Sequence, residues 1–287
     1  MVAAGATVVL WASAFPAISV AVTDLGAAGL SVARLLVASV ALGCVAPFMG
    51  VRVPRRRDLP LIALCGLSGM TVYQLLLNAG ERTVSAGTAS LLIATAPIYS
   101  ALLAAVVLGE RSPTRRWVGS AIAFTGSAVI AGSHGISFGV SALVVLAAAL
   151  AQATFHTAQK PLLARYTGFE LAVYATWSGT IFVLPWTGYL VGAPPLAHAD
   201  AIASTVFLGI APSALGFVFW AYASARMSVA QSTTALYLVP TVAIAIAYVW
   251  LGQIPGRLEL GGGLIALVGV LLANTHGRTQ RPELSRE

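Results

Sequence analysis

Polar residues in this chain are gathered into short intervals, and the stretches between them stay apolar for about twenty residues at a time. A bilayer hydrocarbon core of about 30 Å, crossed by a helix rising about 1.5 Å per residue, needs a run of that length. Ten such runs occur, at 3 to 22, 30 to 49, 59 to 78, 85 to 108, 114 to 132, 139 to 158, 169 to 190, 201 to 222, 230 to 251 and 258 to 275. The connections leave no room for a soluble domain, so the pattern predicts an all-α polytopic membrane protein with ten transmembrane helices. The first run holds Trp11 and Pro16 in its middle and has no basic leader, so it reads as a retained span rather than a secretory signal.

The runs are not independent of one another. Residues 94 to 111 read ATAPIYSALLAAVVLGER, and a related stretch, YLVPTVAIAIAYVWLGQI, follows 143 residues later at 237 to 254. At that offset Ser85 matches Ser228, Pro97 matches Pro240, Gly109 matches Gly252, Gly119 matches Gly262 and Gly126 matches Gly269. Shared apolar letters are cheap in such a chain, whereas glycines and prolines held in one ungapped register are not. Each half contains five spans, an odd number, so the second half must enter the membrane from the opposite side. The expected organisation is two inverted five-helix repeats, at 1 to 135 and 136 to 276, and a cytoplasmic tail at 277 to 287. Secondary transporters are commonly built this way, with substrate bound near the midplane between the halves and access alternating between the two sides.

Pro97 and Pro240 fall about midway down spans four and nine, where a proline removes a backbone donor and frees a carbonyl one turn earlier. Freed carbonyls are costly in hydrocarbon, so both kinks are expected to face protein or a wet cavity, in a gating or cavity-lining role. Gly119 and Gly126 in span five, with Gly262 and Gly269 in span ten, form small-residue stripes that let helices approach closely, as a scaffold contact or across a dimer.

Composition agrees with the pattern: 58% of residues are hydrophobic and 9% charged, against roughly a quarter charged in a soluble domain. The net charge of +7 would suit a nucleic-acid partner, but its distribution explains it better. Loops joining even-numbered spans to the next, with the tail, hold thirteen of the Lys and Arg residues, while the odd-numbered loops hold only Arg82 and Arg257. Basic residues collect on the cytoplasmic side, which places both termini in the cytoplasm and accounts for the charge without a nucleic-acid partner. Cys44 and Cys65 lack the spacing of a metal site or a disulfide framework and read as small core residues.

At this point the residues resemble the EamA-type branch of the drug/metabolite transporter superfamily. The resemblance rests on LWASAFP at 10 to 16, the opening of span two from Arg34 to Ala38, and NAGERTVSAGTASLLIATAPIYSALLAAVVLGER at 78 to 111, and it recurs in WAYASARMSVAQSTTALYLVPTVAIAIAYVWLGQ at 220 to 253. Within the branch the chain is similar to the YddG-type bacterial exporters of aromatic and other amino acids. The resemblance implies ten spans with both ends inside and a central cavity lined by spans one to four and six to nine. One departure is the Gly252-Gln253 pair, where family members often carry Gly-Glu; Glu110 keeps the acid in the first half.

Ionisable side chains in hydrocarbon are rare and usually functional. Here no acid lies well inside a span, leaving Arg34 and His156. Arg34 is expected to snorkel to the outer interface. His156 reads either as a proton relay or as a packed histidine. Without a buried acid to attract a lipophilic cation, neutral or zwitterionic solutes fit better. Candidate substrate contacts near the midplane are Trp11, Ser13, Tyr73, Gln74, Asn78, Thr95, Tyr99, Gln152, His156, Trp177, Ser213 and Tyr237, whose aromatic faces and amides suit amino acids with bulky or aromatic side chains. Trp117, Trp186, Tyr189, Trp220 and Trp250 read as interface anchors.

The expected function is export of amino acids or similar small metabolites by a monomer or weak homodimer, surrounded by membrane lipid, with no metal and no cofactor. An uncoupled facilitator or channel is the near alternative. A remote one is an intramembrane serine protease, because Gly66-Leu67-Ser68-Gly69 has the GxSG form and His156 could be its base.

Overall fold

The computed structural model describes residues 2–84, 86–132, 140–191, 198–251 and 256–274, and among them there is helix and turn but no β-strand. Ser85, the Gly252-Gln253 pair and the tail at 277 to 287 lie outside the described residues. The helices are α1 (Val2–Ala12), α2 (Ala14–Val45), α3 (Leu59–Cys65), α4 (Tyr73–Gly80), α5 (Ala86–Ile93), α6 (Ala96–Val107), α7 (Thr114–Gly132), α8 (Val140–Leu163), α9 (Gly168–Val183), α10 (Thr187–Val191), α11 (Ala199–Leu208), α12 (Gly216–Ser224), α13 (Val229–Thr234), α14 (Val239–Leu251) and α15 (Arg257–Asn274). Wide π turns, Gly66–Val72 and Gly209–Leu215, join α3 to α4 and α11 to α12.

Six stretches among the described residues are long and apolar enough to cross a membrane. The first, Val2–Val45, runs 44 residues, about twice what one crossing needs. It is interrupted at Ser13 and again at Gly26, whose φ of 65° and ψ of 172° leave the helix in a conformation suited to glycine.

The exterior is largely apolar, and a set of polar side chains is buried within an otherwise apolar core. Leu102, Val106, Leu143, Ile181 and Val249 are exposed, while Thr7, Ser31, Gln74, Asn78, Ser100 and Gln152 are buried. Where the surrounding medium is hydrocarbon, polar side chains turn inward to find partners. Cys65 follows the expectation of a core residue, whereas Cys44 is exposed on the outside of α2.

The element boundaries repeat at the offset read from the sequence. The π turns begin at Gly66 and Gly209, α4 and α12 at Tyr73 and Gly216, α5 and α13 at Ala86 and Val229, α6 and α14 at Ala96 and Val239, and α7 and α15 at Thr114 and Arg257, every pair 143 residues apart. The proline kinks take the form of helix breaks. After α5 the chain turns at Ala94 and Thr95, and Pro97 falls in the first turn of α6. A 3-10 segment, Ala235–Leu238, separates α13 from α14, whose second residue is Pro240. In a first helical turn the missing N–H costs nothing, so each proline starts a helix instead of bending one.

The glycine stripes bring α7 against α15. A Cβ on Gly126 would lie 2.3 Å from the Ala266 nitrogen and 2.5 Å from the Gly262 oxygen, and one on Gly269 would lie 2.3 Å from the Ala123 nitrogen and 2.6 Å from the Gly119 oxygen. Gly119 and Gly262 make the matching pair, meeting Gly269 and Gly126 oxygens at 2.7 Å. The contacts are reciprocal, and the stripe is used within the chain rather than across a dimer.

In the ten-span numbering expected from the sequence, the ties between loops join loops of like parity. At one end, Arg52 grips Glu170 through two charge-assisted hydrogen bonds of 2.7 and 2.8 Å, and Asp58 pairs with Arg165 while accepting from the Tyr166 hydroxyl at 2.7 Å. Glu110 accepts from the Val229 backbone nitrogen at 3.0 Å, and the Lys160 ammonium donates to the Ser224 carbonyl at 2.8 Å. At the other end, Thr83 reaches Ser141 at 2.6 Å, and Asp24 Oδ2 holds both the backbone nitrogen and the Nδ1 of His198, at 2.8 and 2.9 Å.

The His198 tie is a pH-sensitive one. Its hydrogen bond to the Asp24 carboxylate raises the ring's pKa above the ordinary histidine value. A raised pKa means the charged contact is complete at acid pH and is lost as pH climbs through the raised value. In an NMR titration of the detergent-solubilised protein, the His198 ring is expected to titrate above a free histidine, and Asp24→Asn to bring it down. Identical titration in both proteins would show that the pair does not form.

Candidate functional site

Helix interruptions open the middle of the bundle. At Ser13 the hydroxyl donates to the Leu10 carbonyl at 2.8 Å, and the chain turns between α1 and α2. Thr95 does the same to the Leu92 carbonyl at 2.6 Å in the break between α5 and α6. Trp11, just before the first break, donates Nε1 to the Pro212 carbonyl of the second π turn at 3.2 Å. Its ring fits there because Gly216 has no side chain: a Cβ would lie 2.7 Å from Nε1.

Trp11 heads an aromatic cluster. Its ring centroid is 5.1 Å from Phe217 and 5.3 Å from Trp220, and it stacks near-parallel on His156 at 6.4 Å. Phe155 closes the group edge-on to Phe217 at 5.5 Å. His156 is fully buried, with Nδ1 3.1 Å from the Ser100 hydroxyl and Nε2 3.3 Å from Gln152 Nε2. Gln152 Nε2 donates, so His156 Nε2 accepts and Nδ1 carries the proton towards Ser100, the pattern of a neutral packed ring. Gln152 Oε1 is left buried with no hydrogen-bond partner.

Arg34 corrects the sequence-based expectation. It does not reach outwards; it is 4% exposed and turned into the bundle, with Nε and Nη2 donating to the Ser213 hydroxyl at 3.1 and 3.0 Å. Nη1 has no partner.

These groups surround a narrow central cavity of about 50 Å³. Trp11, Arg34, Tyr73, Gln152, Phe217 and Leu236 are among its walls, so both halves of the chain contribute. A hollow of about 680 Å³ lies elsewhere, on the outer surface around Gly43, Val53, Trp177 and Ile181. Although larger, it is lined mainly by apolar side chains at the bundle's exterior, whereas buried polar groups converge on the smaller cavity. The smaller one is the better candidate.

The structure therefore gathers some of the sequence-derived candidates and disperses others. Trp11, Tyr73 and Gln152 line the cavity, Ser213 holds Arg34, and His156 backs Gln152. Gln74 is fully buried on α4 with neither amide atom partnered, and Asn78 donates to the Ser31 hydroxyl at 2.8 Å. Tyr99 is half-buried on α6. Trp177 stands apart, exposed, with Nε1 on the Ser39 carbonyl at 3.2 Å. Tyr237 packs with Ala94, Ala123 and Val270 behind the break. Trp220, expected at an interface, is fully buried. The sequence missed Phe155, Phe217 and Ser100, and it missed Glu81, which lies beyond the expected end of span three yet is buried with neither oxygen hydrogen-bonded.

Sequence comparison places this architecture. The family model described as "EamA-like transporter family" matches residues 1–132 and again 139–275. The chain belongs to the EamA-like transporter family. It is 57% identical, over 97% of this chain and 94% of the relative, to a probable terminal-alkyne amino-acid exporter of Streptantibioticus cattleyicolor. It is 27% identical to a probable amino-acid metabolite efflux pump of Salmonella typhimurium, over 76% of this chain and 78% of that one. A crystal structure with 17% identity superposes at a TM-score of 0.73, covering 94% of this chain and 98% of that one, which speaks to the fold alone.

An EamA-like chain of this kind is a multi-pass transporter of the bacterial inner membrane and not an enzyme. The protease alternative also fails on geometry. Ser68 donates to the Leu64 carbonyl of its own helix at 2.7 Å, and His156 is occupied by Ser100 and Gln152. Gly66 and Gly69 have a packing cause, since a Cβ on them would lie 2.6 Å from the Gly179 nitrogen and 2.4 Å from the Phe155 ring.

Proposed function

We propose that this transporter exports α-amino acids with compact apolar or unsaturated side chains from the bacterial cytoplasm, as a secondary carrier working by alternating access. The observation that carries the reading is the central cavity, built by both halves and combining an aromatic wall with buried, unpaired polar atoms. The 57% identical relative, named a probable terminal-alkyne amino-acid exporter, supports the substrate class. The name of that relative, rather than the size of the cavity in this shut state, is what favours compact unsaturated side chains over the aromatic ones expected from the sequence.

The carrier is read as ten spans in two inverted repeats, at 1 to 135 and 136 to 276, with both termini in the cytoplasm. Dividing Val2–Val45 at Gly26 and counting α7, α9 with α10, and α15 supplies the spans beyond those recognised by length. The two family matches, the common offset of element boundaries and the reciprocal glycine contacts support the duplication. The like-parity loop ties support the alternating topology, because loops on opposite sides of a bilayer cannot touch. On this orientation the Glu110 and Lys160 ties and the Trp220-His156 packing close the cytoplasmic end, leaving a state shut towards the cell.

The test is counterflow in liposomes. Vesicles holding the purified protein and loaded with unlabelled propargylglycine are expected to accumulate labelled propargylglycine at least about tenfold over empty vesicles, with phenylalanine competing weakly. Absence of counterflow with every member of an amino-acid panel would remove the amino-acid reading. Repeating the assay for net flux with and without a pH gradient separates a coupled carrier from the uncoupled facilitator: flux indifferent to the gradient favours the facilitator.

A further inference from the structure

Two unpartnered polar atoms in the cavity wall have opposite hydrogen-bonding character. Arg34 Nη1 is a cationic donor with nothing to donate to, and Gln152 Oε1 is an acceptor with nothing to accept. Both side chains are more than nine-tenths buried, and both line the same cavity. They come from different halves, Arg34 on α2 and Gln152 on α8.

Neither atom is explained by packing. A guanidinium removed from water needs a counter-charge or a full set of acceptors, because an isolated buried charge costs several kcal/mol. Here Nε and Nη2 share one serine hydroxyl, and Glu81, the acid close enough to act on Arg34 by charge, makes no hydrogen bond to it. Ser213 is also a neutral acceptor, far weaker than a carboxylate held through charge-assisted bonds. Gln152 is fixed from behind by His156, which uses its amide nitrogen and leaves the oxygen free. The Trp11 and Phe217 rings and the Leu77 and Leu236 side chains complete the wall with apolar surface.

We infer that Arg34 and Gln152 recognise the two ends of an α-amino acid zwitterion. Arg34 Nη1 takes the carboxylate, Gln152 Oε1 takes the ammonium, and the apolar wall receives the side chain. This rests on the amino-acid reading and narrows it: the cavity selects for the zwitterionic head group, so amines, amides, 2-hydroxy acids and sugars of similar size are excluded. It also gives the alternation a handle, since a bound zwitterion bridges a residue of one half to a residue of the other.

The test uses the same counterflow assay, with propargylglycine as the probe and competition by its α-amide and by its 2-hydroxy acid analogue. In the wild type each analogue, lacking one end of the zwitterion, is expected to compete at least about tenfold less well than the amino acid, because a buried polar group is then left unpaired. Arg34→Gln is expected to weaken the amino acid at least about tenfold while leaving the amide unchanged, so that discrimination against the amide collapses; Gln152→Leu does the same for the hydroxy acid. A structural role alone would lower all three ligands together. If Arg34→Gln does not fold, the wild-type analogue series decides by itself. An amide or hydroxy acid that competes as well as the amino acid overturns the assignment while the amino-acid reading stands. Failure of propargylglycine and of every other amino acid to exchange removes that reading and this assignment with it.

Discussion

Gly126→Leu is expected to lose about 3 kcal/mol or more of stability, or to fail to fold, whereas Gly132→Leu six residues further along the same helix loses almost nothing. The difference lies in what a Cβ meets. At Gly126 the neighbours are backbone atoms of α15 at 2.3 and 2.5 Å, and backbone cannot swing aside as a side chain can. The whole helix would have to retreat, opening the α7–α15 seam along its length and forfeiting the dispersion contacts that hold helices together in lipid. At Gly132 nothing lies within 4 Å. Thermal unfolding in detergent, read with the fraction of monodisperse protein, separates the two. Because the contacts are reciprocal, Gly269→Leu is expected to match Gly126→Leu. A mild effect at one and a severe one at the other would show that the seam is not symmetric.

Trp11→Ala carries the second large effect, this time on transport. Removing the indole takes away part of the cavity's aromatic wall, its contacts with Phe217, Trp220 and His156, and the hydrogen bond to the Pro212 carbonyl in the wide turn. Substrate affinity in the counterflow assay is expected to fall at least about tenfold, the scale of losing an aromatic anchor, with a stability loss of about 2 to 4 kcal/mol for this half-buried indole. Trp11→Phe keeps most of the apolar contact and is expected to fall between. Trp177→Ala is the control, since that indole lies on the exterior; it is expected to leave affinity within about twofold. Equal losses at Trp11 and Trp177 would move the substrate path from the central cavity to the outer hollow.

The contrast between those tryptophans shows what the sequence could express. The 143-residue offset of element boundaries was legible because Gly126, Gly269, Pro97 and Pro240 do backbone work that few other residues do, so their register survives as letters. The phase of each helix was not legible. In a soluble helix, polar residues mark the outer face; in a membrane bundle the lipid face and the packed face are both apolar, so nothing in the letters separates Trp177 on the outside from Trp220 in the core. Arg34 was misread for a related reason. A position about a turn from a span's end is compatible with reaching outwards or with turning in, and only the neighbouring Ser213, 179 residues away in the chain, decides between them. Glu81 was counted as loop because an apolar run ends where its letters end, while the fold buries it all the same.

The two wide turns carry a consequence for how the bundle can be altered. A π turn spreads its backbone bonds over one residue more than an α turn. The first is packed through Gly66 and Gly69, and the second runs into Gly216, whose missing side chain leaves room for the Trp11 indole. A side chain added at Gly216 would therefore push on α1, so a change made at the second turn is felt at the start of the chain.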